Sequence, residues 1–313
     1  MTDARDLLDE GRRSQQLGAL ERALACYREA VEGTDDPVVA AEAWRRVSSI
    51  HRARCEWQEA LEAAARSRTI LRRTPDRDGL AESLNAEATV YMARGDFGPA
   101  RPLLEEAAEA ARSDRVIGIT LQNLGLVSAR CGDLDGAERY FKVSAAHFKR
   151  SGYRWGEACV LINHAASALD RENYELADAT AGQAIEAARE VEDLNLLAMA
   201  TMNRAEARAA LNDLQCAEDL VSAALGYFGA TGDHGRQVEA YRLLGDICHK
   251  RGDDATARRC YEKALEMAHS IESNLESRTL AEKLGELPES GSRNDGSRAA
   301  LDGQGGSVLR HRV

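Results

Sequence analysis

The sequence predicts an all-α fold in which seven helix pairs are stacked in order and closed by a C-terminal helix. Its 313 residues carry an alanine that returns every 37 or 40 residues. A fixed period of roughly 20–50 residues indicates a stacked repeat protein. The recurring alanines, each near the start of the second helix of a pair, are Ala23, Ala60, Ala100, Ala137, Ala177, Ala217 and Ala257.

Two further positions in each repeat support this period, because neither was used to find it. They lie twelve residues before and seven residues after each alanine, and all fourteen are Gly, Ala or Ser. Small residues let two helix axes approach to the short end of the roughly 8–10 Å packing range. The fourteen residues are Gly11, Ser48, Ala88, Gly125, Ala165, Ala205, Gly245, Ala30, Ser67, Ala107, Ser144, Ala184, Ala224 and Ala264.

The composition agrees with a chain built from helices alone. Hydrophobic residues make up 44% of the sequence, but only 5% is aromatic, which suits Ala- and Leu-rich helix contacts. The chain has only five prolines, so long helices can run without interruption.

In chain order, the first pair is predicted over residues 4–17 and 20–32. Asp36 is the expected N-cap of the next helix, with Pro37 in its first turn. Later pairs turn where Gly or Asn can adopt the left-handed conformation that ends a helix. These turns are predicted at Gly95-Asp96, Gly132-Asp133, Asn173-Tyr174, Asn212-Asp213 and Gly252-Asp253.

The C-terminal part differs in composition from the repeats. Leu275, Leu280 and Leu284 share one face of a short amphipathic helix, which predicts a cap on the last repeat. From Glu286 onward the sequence is rich in Gly, Ser, Asp and Arg, a composition typical of disorder. The predicted domains are therefore a repeat array over 1–272, a capping helix over 273–286 and a disordered tail over 287–313.

The sequence contains no recognisable catalytic motif. It lacks a phosphate-binding Gly-x-x-x-x-Gly-Lys loop, a dinucleotide-binding Gly-x-Gly-x-x-Gly, a His-Glu-x-x-His and a Gly-x-Ser-x-Gly elbow. The seven cysteines contain no Cys-x-x-Cys pair, and their spacing favours packing residues in a reducing compartment over a metal site or disulfides. We therefore expect no enzymatic activity, no cofactor and no metal.

Charge and hydropathy limit the kinds of partner and the compartment that the sequence predicts. A formal charge of −11 and a pI near 5.3 disfavour nucleic acid as a partner. No uncharged run approaches the ~18 residues of a membrane span. The first ten residues are charged and lack the apolar core of a signal peptide. The sequence predicts a cytoplasmic protein with no membrane partner.

Two of the repeats match a known pattern closely. Leu121, Leu124-Gly125, Ala137 and Phe141 fit the tetratricopeptide repeat, as do Tyr241, Leu244-Gly245, Ala257 and Tyr261. The 40-residue period resembles the long-repeat branch of this family, with its Leu-Gly-Asn-rich adaptors, kinesin light chain and Rap-type bacterial regulators. The resemblance implies a right-handed superhelical solenoid of seven helix pairs with a C-terminal capping helix. It also implies that the first helices line a concave groove that holds the partner.

Three asparagines occupy the same position in consecutive first helices. Asn123, Asn163 and Asn203 are each 40 residues apart. Asn is unfavourable inside a helix because its amide competes for backbone hydrogen bonds, so three in register require a reason. One reason is a structural bond to the neighbouring helix. The other is an amide ladder that binds the backbone of an extended peptide, and both hypotheses remain open at this point.

Apolar and basic residues complete the predicted groove. Its apolar floor consists of Ile119, Leu126, Ile162, Met199 and Met202, in which the two methionines provide adaptable contacts. Toward the N-terminus, Arg45, Arg46 and Arg52 form a cluster that could receive acidic side chains.

Four polar residues stand where the repeat normally has an apolar one. They are Glu10, Glu87, His164 and Arg204. A buried charge is costly unless it is paired. We expect these side chains either to reach the edge of the helix or to pair, with Arg204 and His164 of adjacent repeats as one possible pair.

Taken together, these features predict a non-catalytic scaffold for protein–protein interaction that binds an extended peptide segment of its partner in the groove. The alternative is a peptide-responsive regulatory sensor that acts in trans on a transcription or signalling partner. The sequence leaves the identity of the partner and the oligomeric state open.

Overall fold

The computed structural model describes residues 3–271 and 273–288, and within these residues the chain forms fifteen α-helices and no β-strand. None of these helices combines the length and the apolarity that a membrane span requires. The helices are α1 Ala4–Gln16, α2 Leu20–Glu32, α3 Pro37–Ala53, α4 Trp57–Leu71, α5 Arg77–Ala93, α6 Phe97–Ala110, α7 Asp114–Arg130, α8 Leu134–Ser151, α9 Arg154–Asp170, α10 Tyr174–Glu190, α11 Leu194–Ala210, α12 Leu214–Thr231, α13 His234–Lys250, α14 Asp254–Ser270 and α15 Asn274–Glu286.

The chain forms two compact units, one that ends at Tyr227 and one that begins at Phe228. In the first unit each odd-numbered helix from α1 to α9 packs on the even-numbered helix that follows it, as α1/α2 and α7/α8 do. The odd-numbered helices up to α11 are here called A helices, and the even-numbered ones B helices. The A helices also contact one another in succession from α1 to α11. In the second unit α13 packs on α14, and α14 on α15. The predicted all-α class, with paired helices followed by a C-terminal helix, is confirmed.

The ends of the helices follow the predicted cap chemistry. Asp36 accepts a 2.9 Å hydrogen bond from the amide of Val38, and Pro37 is the first residue of α3. Gly95 and Gly132 adopt positive φ between the A and B helices of their pairs. In the fifth pair the left-handed residue is Glu172, and Asn173 instead accepts from the amide of Leu176 as the N-cap of α10.

The small residues of the repeat are all buried between helices. The close approach is tightest where glycine faces an aromatic ring, because a Cβ on Gly125 would lie 2.5 Å from Cε1 of Phe141. Gly11 faces Tyr27 and Gly245 faces Tyr261 in the same way. In the other four repeats Ala or Ser replaces this glycine, and the residue sixteen positions later is smaller than Phe or Tyr. These pairs are Ser48 with Ala64, Ala88 with Leu104, Ala165 with Ala181 and Ala205 with Val221.

Three of the four polar residues at the apolar position of the repeat find a charged partner on a B helix. Glu10 pairs with Arg22. Glu87 Oε2 lies 2.8 Å from Nε of Arg68, although its burial still raises the pKa of its carboxyl group. Arg204 Nε donates to Oδ1 of Asp178 over 3.1 Å, so the suggested pairing of Arg204 with His164 is wrong.

The C-terminal helix α15 covers the apolar side of α14. Leu280 is fully buried in a cluster with Tyr261 and Met267. Leu287, just beyond the helix, is only 5% exposed and belongs to the same cluster. The remainder of the predicted tail, residues 289–313, lies outside the described residues.

Candidate functional site

The predicted site lies on one face of the A helices in the first unit. Asn123, Asn163 and Asn203 stand at equivalent places on α7, α9 and α11, and all three side chains are half-buried. Because α7 contacts α9 and α9 contacts α11, the three amides follow one another along the packed A helices. We call these three residues the Asn row.

Two members of the Asn row bind the preceding A helix. Asn123 donates from Nδ2 to Oδ1 of Asn85 over 2.9 Å, and Asn203 donates from Nδ2 to the carbonyl oxygen of Ile162 over 3.0 Å. In contrast, the amide of Asn163 forms no hydrogen bond to any described residue. The structural role is therefore real for two positions, and Asn163 has the free amide.

Asn85 and Thr120 were not singled out in the sequence, although they complete the bond at Asn123. Asn85 is buried and also donates from Nδ2 to Oγ1 of Thr120 over 2.7 Å and to the carbonyl oxygen of Ala81 over 2.9 Å. Asn85 occupies the position of its repeat that directly precedes that of the Asn row. Only the relative placement of adjacent A helices brings the two positions together.

The predicted apolar floor is partly accessible. Ile119, Leu126, Met199 and Met202 are half-buried, so each still presents apolar surface beside the Asn row. Ile162 is only 4% exposed and belongs to the core between α9, α10 and α11. Its backbone carbonyl, rather than its side chain, contributes to the site.

The predicted arginine cluster is largely ion-paired. Arg45 lies 2.8 Å from Glu82 of the next repeat, and Arg46 lies 3.5 Å from Glu42 on its own helix. Arg52 forms no ion pair with any described residue. Although Arg45 is paired through Nη2, its Nη1 is buried without an acceptor.

No three His, Cys, Asp or Glu side chains converge as metal ligands anywhere in the part of the chain that the structure describes. The A-helix face carries amides, apolar side chains, and guanidinium groups of which two are paired with the carboxylates of Glu42 and Glu82.

Comparison with known proteins places the repeats in a family. The family model of the tetratricopeptide repeat matches residues 39–113 and 196–270, which hold α3–α6 and α11–α14. No curated protein matches the chain in sequence.

Solved structures share the fold at low sequence identity. A signal transduction ATPase of the STAND class from Pyrococcus horikoshii, which has a tetratricopeptide repeat sensor, is 14% identical, covers 88% of this chain and 44% of its own, and has a TM-score of 0.71. A Rap protein in complex with competence and sporulation factor is 17% identical, with coverages of 89% and 73% and a TM-score of 0.61. A putative kinesin light chain from Podospora anserina is 16% identical, with coverages of 64% and 99% and a TM-score of 0.52.

These likenesses concern the fold, because every identity is below 25%. They agree with the two matched stretches and with the repeat of small residues along all seven helix pairs. Residues 39–113 and 196–270 are therefore tetratricopeptide repeats, and the paired-helix fold of the chain is the one that these solved structures share.

Proposed function

We propose that the chain is a non-catalytic scaffold that binds an extended segment of a partner protein along the A-helix face of its first unit. The observation that carries this proposal is the Asn row, in which three amides stand in register between half-buried apolar side chains. Half-buried Ile, Leu and Met beside polar groups that can still bond are typical of a surface that receives a ligand.

The spacing of the row suits an extended backbone. Adjacent packed helices lie roughly 8–10 Å apart, and an extended peptide advances about 3.3 Å per residue. One repeat therefore spans about three ligand residues, and the three amides about nine. Asn offers both a donor and an acceptor, so it can bond a peptide group without reading the ligand's side chain.

The three amides differ in what they can still bind. Asn163 has its donor and acceptor free, whereas Asn123 and Asn203 have each committed one N–H to the preceding repeat and keep Oδ1 without a bonded donor among the described residues. We expect Asn163 to make the strongest contact with the ligand backbone and its neighbours to accept from ligand N–H groups.

The arginines support an acidic residue at one end of the ligand. Arg45 has a buried Nη1 that lacks an acceptor, and leaving a buried donor unsatisfied costs roughly 1–3 kcal/mol. A ligand carboxylate would instead pair with Arg52, which forms no ion pair with any described residue, because the buried Nη1 of Arg45 is not accessible to a ligand. The pairs with Glu42 and Glu82 limit the cluster's net charge, so we expect a single acidic residue rather than an acidic run.

The experiment begins with mass spectrometry of proteins that co-purify with the full chain from its source cell. The shortest binding peptide of the main partner is then titrated against variants by calorimetry. We expect Asn163→Ala to weaken binding about fivefold or more, since each lost hydrogen bond contributes about 1 kcal/mol. Arg52→Gln should weaken only peptides that carry the acidic residue, and less so at high salt.

Asn195→Ala is the matched control, because Asn195 is exposed on α11 outside the Asn row. If Asn163→Ala binds the peptide as tightly as Asn195→Ala does, the row does not hold the ligand and the proposal fails. Small-angle scattering of the same samples separates the two functions considered. An unchanged profile supports a scaffold, whereas compaction on peptide binding would identify a regulatory sensor instead.

A further inference from the structure

Two clefts recur on the first unit at equivalent places in successive repeats. Each is formed by the B helix of one pair and by both helices of the next pair. The first lies between α8, α9 and α10 with a volume of about 410 Å³, and the second between α10, α11 and α12 with about 450 Å³. Their lining residues correspond with a shift of 40 residues, as in Arg154 with Leu194, Glu157 with Leu197 and Gln183 with Ala223.

The first cleft, here called the Arg154 cleft, satisfies its own charges. Arg154 Nη1 lies 2.7 Å from Oε2 of Glu157, and its Nε lies 3.1 Å from Oε2 of Glu190. Charged groups that pair with each other in this way remain well solvated and need no partner protein. The Arg154 cleft thus shows what this site in the repeat contains when it serves as ordinary surface.

The second cleft, here called the Leu194 cleft, replaces that ion pair with Leu194 and Leu197. Leu194 is 62% exposed although it is a large apolar residue. Leu220 and the ring of Tyr227 extend the apolar lining on α12. Arg154 and Glu157 stand at the same two places in the first cleft, so the repeat fold tolerates charged residues there, although Leu197 also packs against the core between α9, α10 and α11.

The charge of the Leu194 cleft also has one sign. Arg189 and Arg204 line it, and none of the described residues in its lining is a carboxylate. Arg204 shares Asp178 with Arg208, which lies 2.7 Å from the same carboxylate oxygen and also pairs with Asp213, so both aspartates lie behind the lining and not in it. Arg189 lies 2.7 Å from the exposed Glu186, which lines the Arg154 cleft, and it pairs with no other described residue. This positive rim stands out on a chain with a net charge of −11.

We propose that the Leu194 cleft is a second docking site, which takes one or two large apolar side chains from an acidic segment of a partner protein. The apolar side chains lie against Leu194, Leu197 and Tyr227, and the partner's carboxylates face Arg189 and Arg204. The charge of the rim decides the occupant.

The first test uses 8-anilinonaphthalene-1-sulfonate, a fluorescent probe that combines apolar rings with an anionic group. We expect one site on the full chain and at least fivefold weaker binding to Ala223→Gln, which introduces the residue that Gln183 supplies in the Arg154 cleft. Ser222→Gln is the matched control, because Ser222 is exposed one position away on α12 and outside the lining. Equal binding by Ala223→Gln and Ser222→Gln would overturn the site.

The charge is tested with Arg189→Gln and with N-phenyl-1-naphthylamine, an uncharged probe of similar shape. Arg189→Gln should weaken the anionic probe several-fold and leave the uncharged one within twofold. Equal effects on the two probes would overturn the acidic character of the partner.

Leu197→Glu, which copies Glu157, gives a second variant in case the Gln side chain in Ala223→Gln folds away from the cleft.

The partner chemistry is tested with a phage-displayed library of random 12-residue peptides. Selection on the full chain and counter-selection on Ala223→Gln should enrich sequences with a large apolar residue within a few positions of Asp or Glu. Basic or purely polar sequences, or no enrichment, would overturn the proposal. So would self-association that Ala223→Gln abolishes, which indicates a second copy, or stronger probe binding after deletion of 289–313, which indicates the tail.

Discussion

Asn123 donates a 2.9 Å hydrogen bond to Asn85 and thereby joins the A helices of the third and fourth repeats. The acceptor is itself buried and bonded to Thr120. The row of asparagines thus combines two kinds of position. Asn123 and Asn203 hold neighbouring repeats together, whereas the amide of Asn163 bonds to none of the described residues.

This difference predicts opposite effects on stability. Asn85→Ala should lower the free energy of unfolding by about 1–3 kcal/mol, because Oγ1 of Thr120 loses its donor and Nδ2 of Asn123 loses its acceptor, while Thr120 still donates to the carbonyl oxygen of Val116. Asn163→Ala should leave it unchanged or raise it by up to about 0.7 kcal/mol, because Ala is the better helix former. Urea denaturation followed by circular dichroism measures both. A larger loss for Asn163→Ala than for Asn85→Ala would contradict the assignment.

The contact between Gly125 and Phe141 predicts a coupled pair of substitutions. Gly125→Ala places a methyl group against a buried ring and should cost about 1–3 kcal/mol, as overpacked cores do. Phe141→Leu should also destabilise, because it leaves a void. The double variant copies Ala88 with Leu104 of the third repeat, so its loss should be smaller than the sum of the two. Additive losses in a denaturant cycle would show that the two positions do not share one space.

His164 predicts a pH dependence of stability near neutrality. It is 6% exposed, Nε2 is buried without a hydrogen-bond partner, and burial lowers the pKa of the imidazole. The unfolded chain, in which a histidine has a pKa of about 6.5, therefore binds its proton first as the pH falls. The contribution of neutral His164 to the free energy of unfolding is therefore fully present above about pH 6.5. It decreases as the pH falls below this value, with a slope that approaches about 1.4 kcal/mol per pH unit.

The measurement compares wild type with His164→Leu, the residue that Leu124 and Leu244 provide at the same position. The loss of unfolding free energy between about pH 7.5 and pH 5.5 should be smaller in His164→Leu. His269→Leu, at an exposed histidine on α14, controls for removal of an imidazole. Equal losses in wild type and His164→Leu would exclude His164 as the source.

The burial of Leu287 predicts that residues 287 and 288 stabilise the fold and that residues 289–313 do not. A chain that ends at Pro288 retains Leu287 in the cluster with Leu280, and it keeps the 3.0 Å bond from Arg258 to the carbonyl oxygen of Pro288. A chain that ends at Glu286 loses both. We expect the first to melt like the full chain and the second several degrees lower. A clear loss from deletion of 289–313 alone would show that this segment contributes to stability.

Much of the fold could be predicted from the sequence because the repeat is local. The spacing of alanines and of small residues is sufficient to place seven helix pairs, and Asp36-Pro37 marks the start of α3 by cap chemistry alone. The details that the sequence did not predict depend on the placement of one repeat against the next. The bond between Asn85 and Asn123 needs the offset of α5 against α7, and the pairing of Arg204 with Asp178 needs the approach of α11 to α10.

The contacts of the candidate site were predicted less completely for the same reason. Sequence periodicity identified the positions on the A-helix face, but it could not separate Asn163, whose amide is free, from Asn123, which is bonded. It also gave no sign of the Leu194 cleft, which only comparison with the Arg154 cleft in the folded chain makes visible.

The turns between helices have a consequence for the order in which the chain opens. Gly occupies the left-handed position in the turns around Gly18, Gly95, Gly132 and Gly252. Cys55 adopts it in the single turn between α3 and α4, and Glu172, Glu192 and Asn212 adopt it in three consecutive turns. A side chain in this conformation costs roughly 1–2 kcal/mol. Amide protons of α10 and α11 should therefore exchange with deuterium sooner than those of α7 and α8. These two helices carry most of the lining of the Leu194 cleft but only Asn203 of the Asn row, so we expect the two proposed docking surfaces to differ in how readily they open.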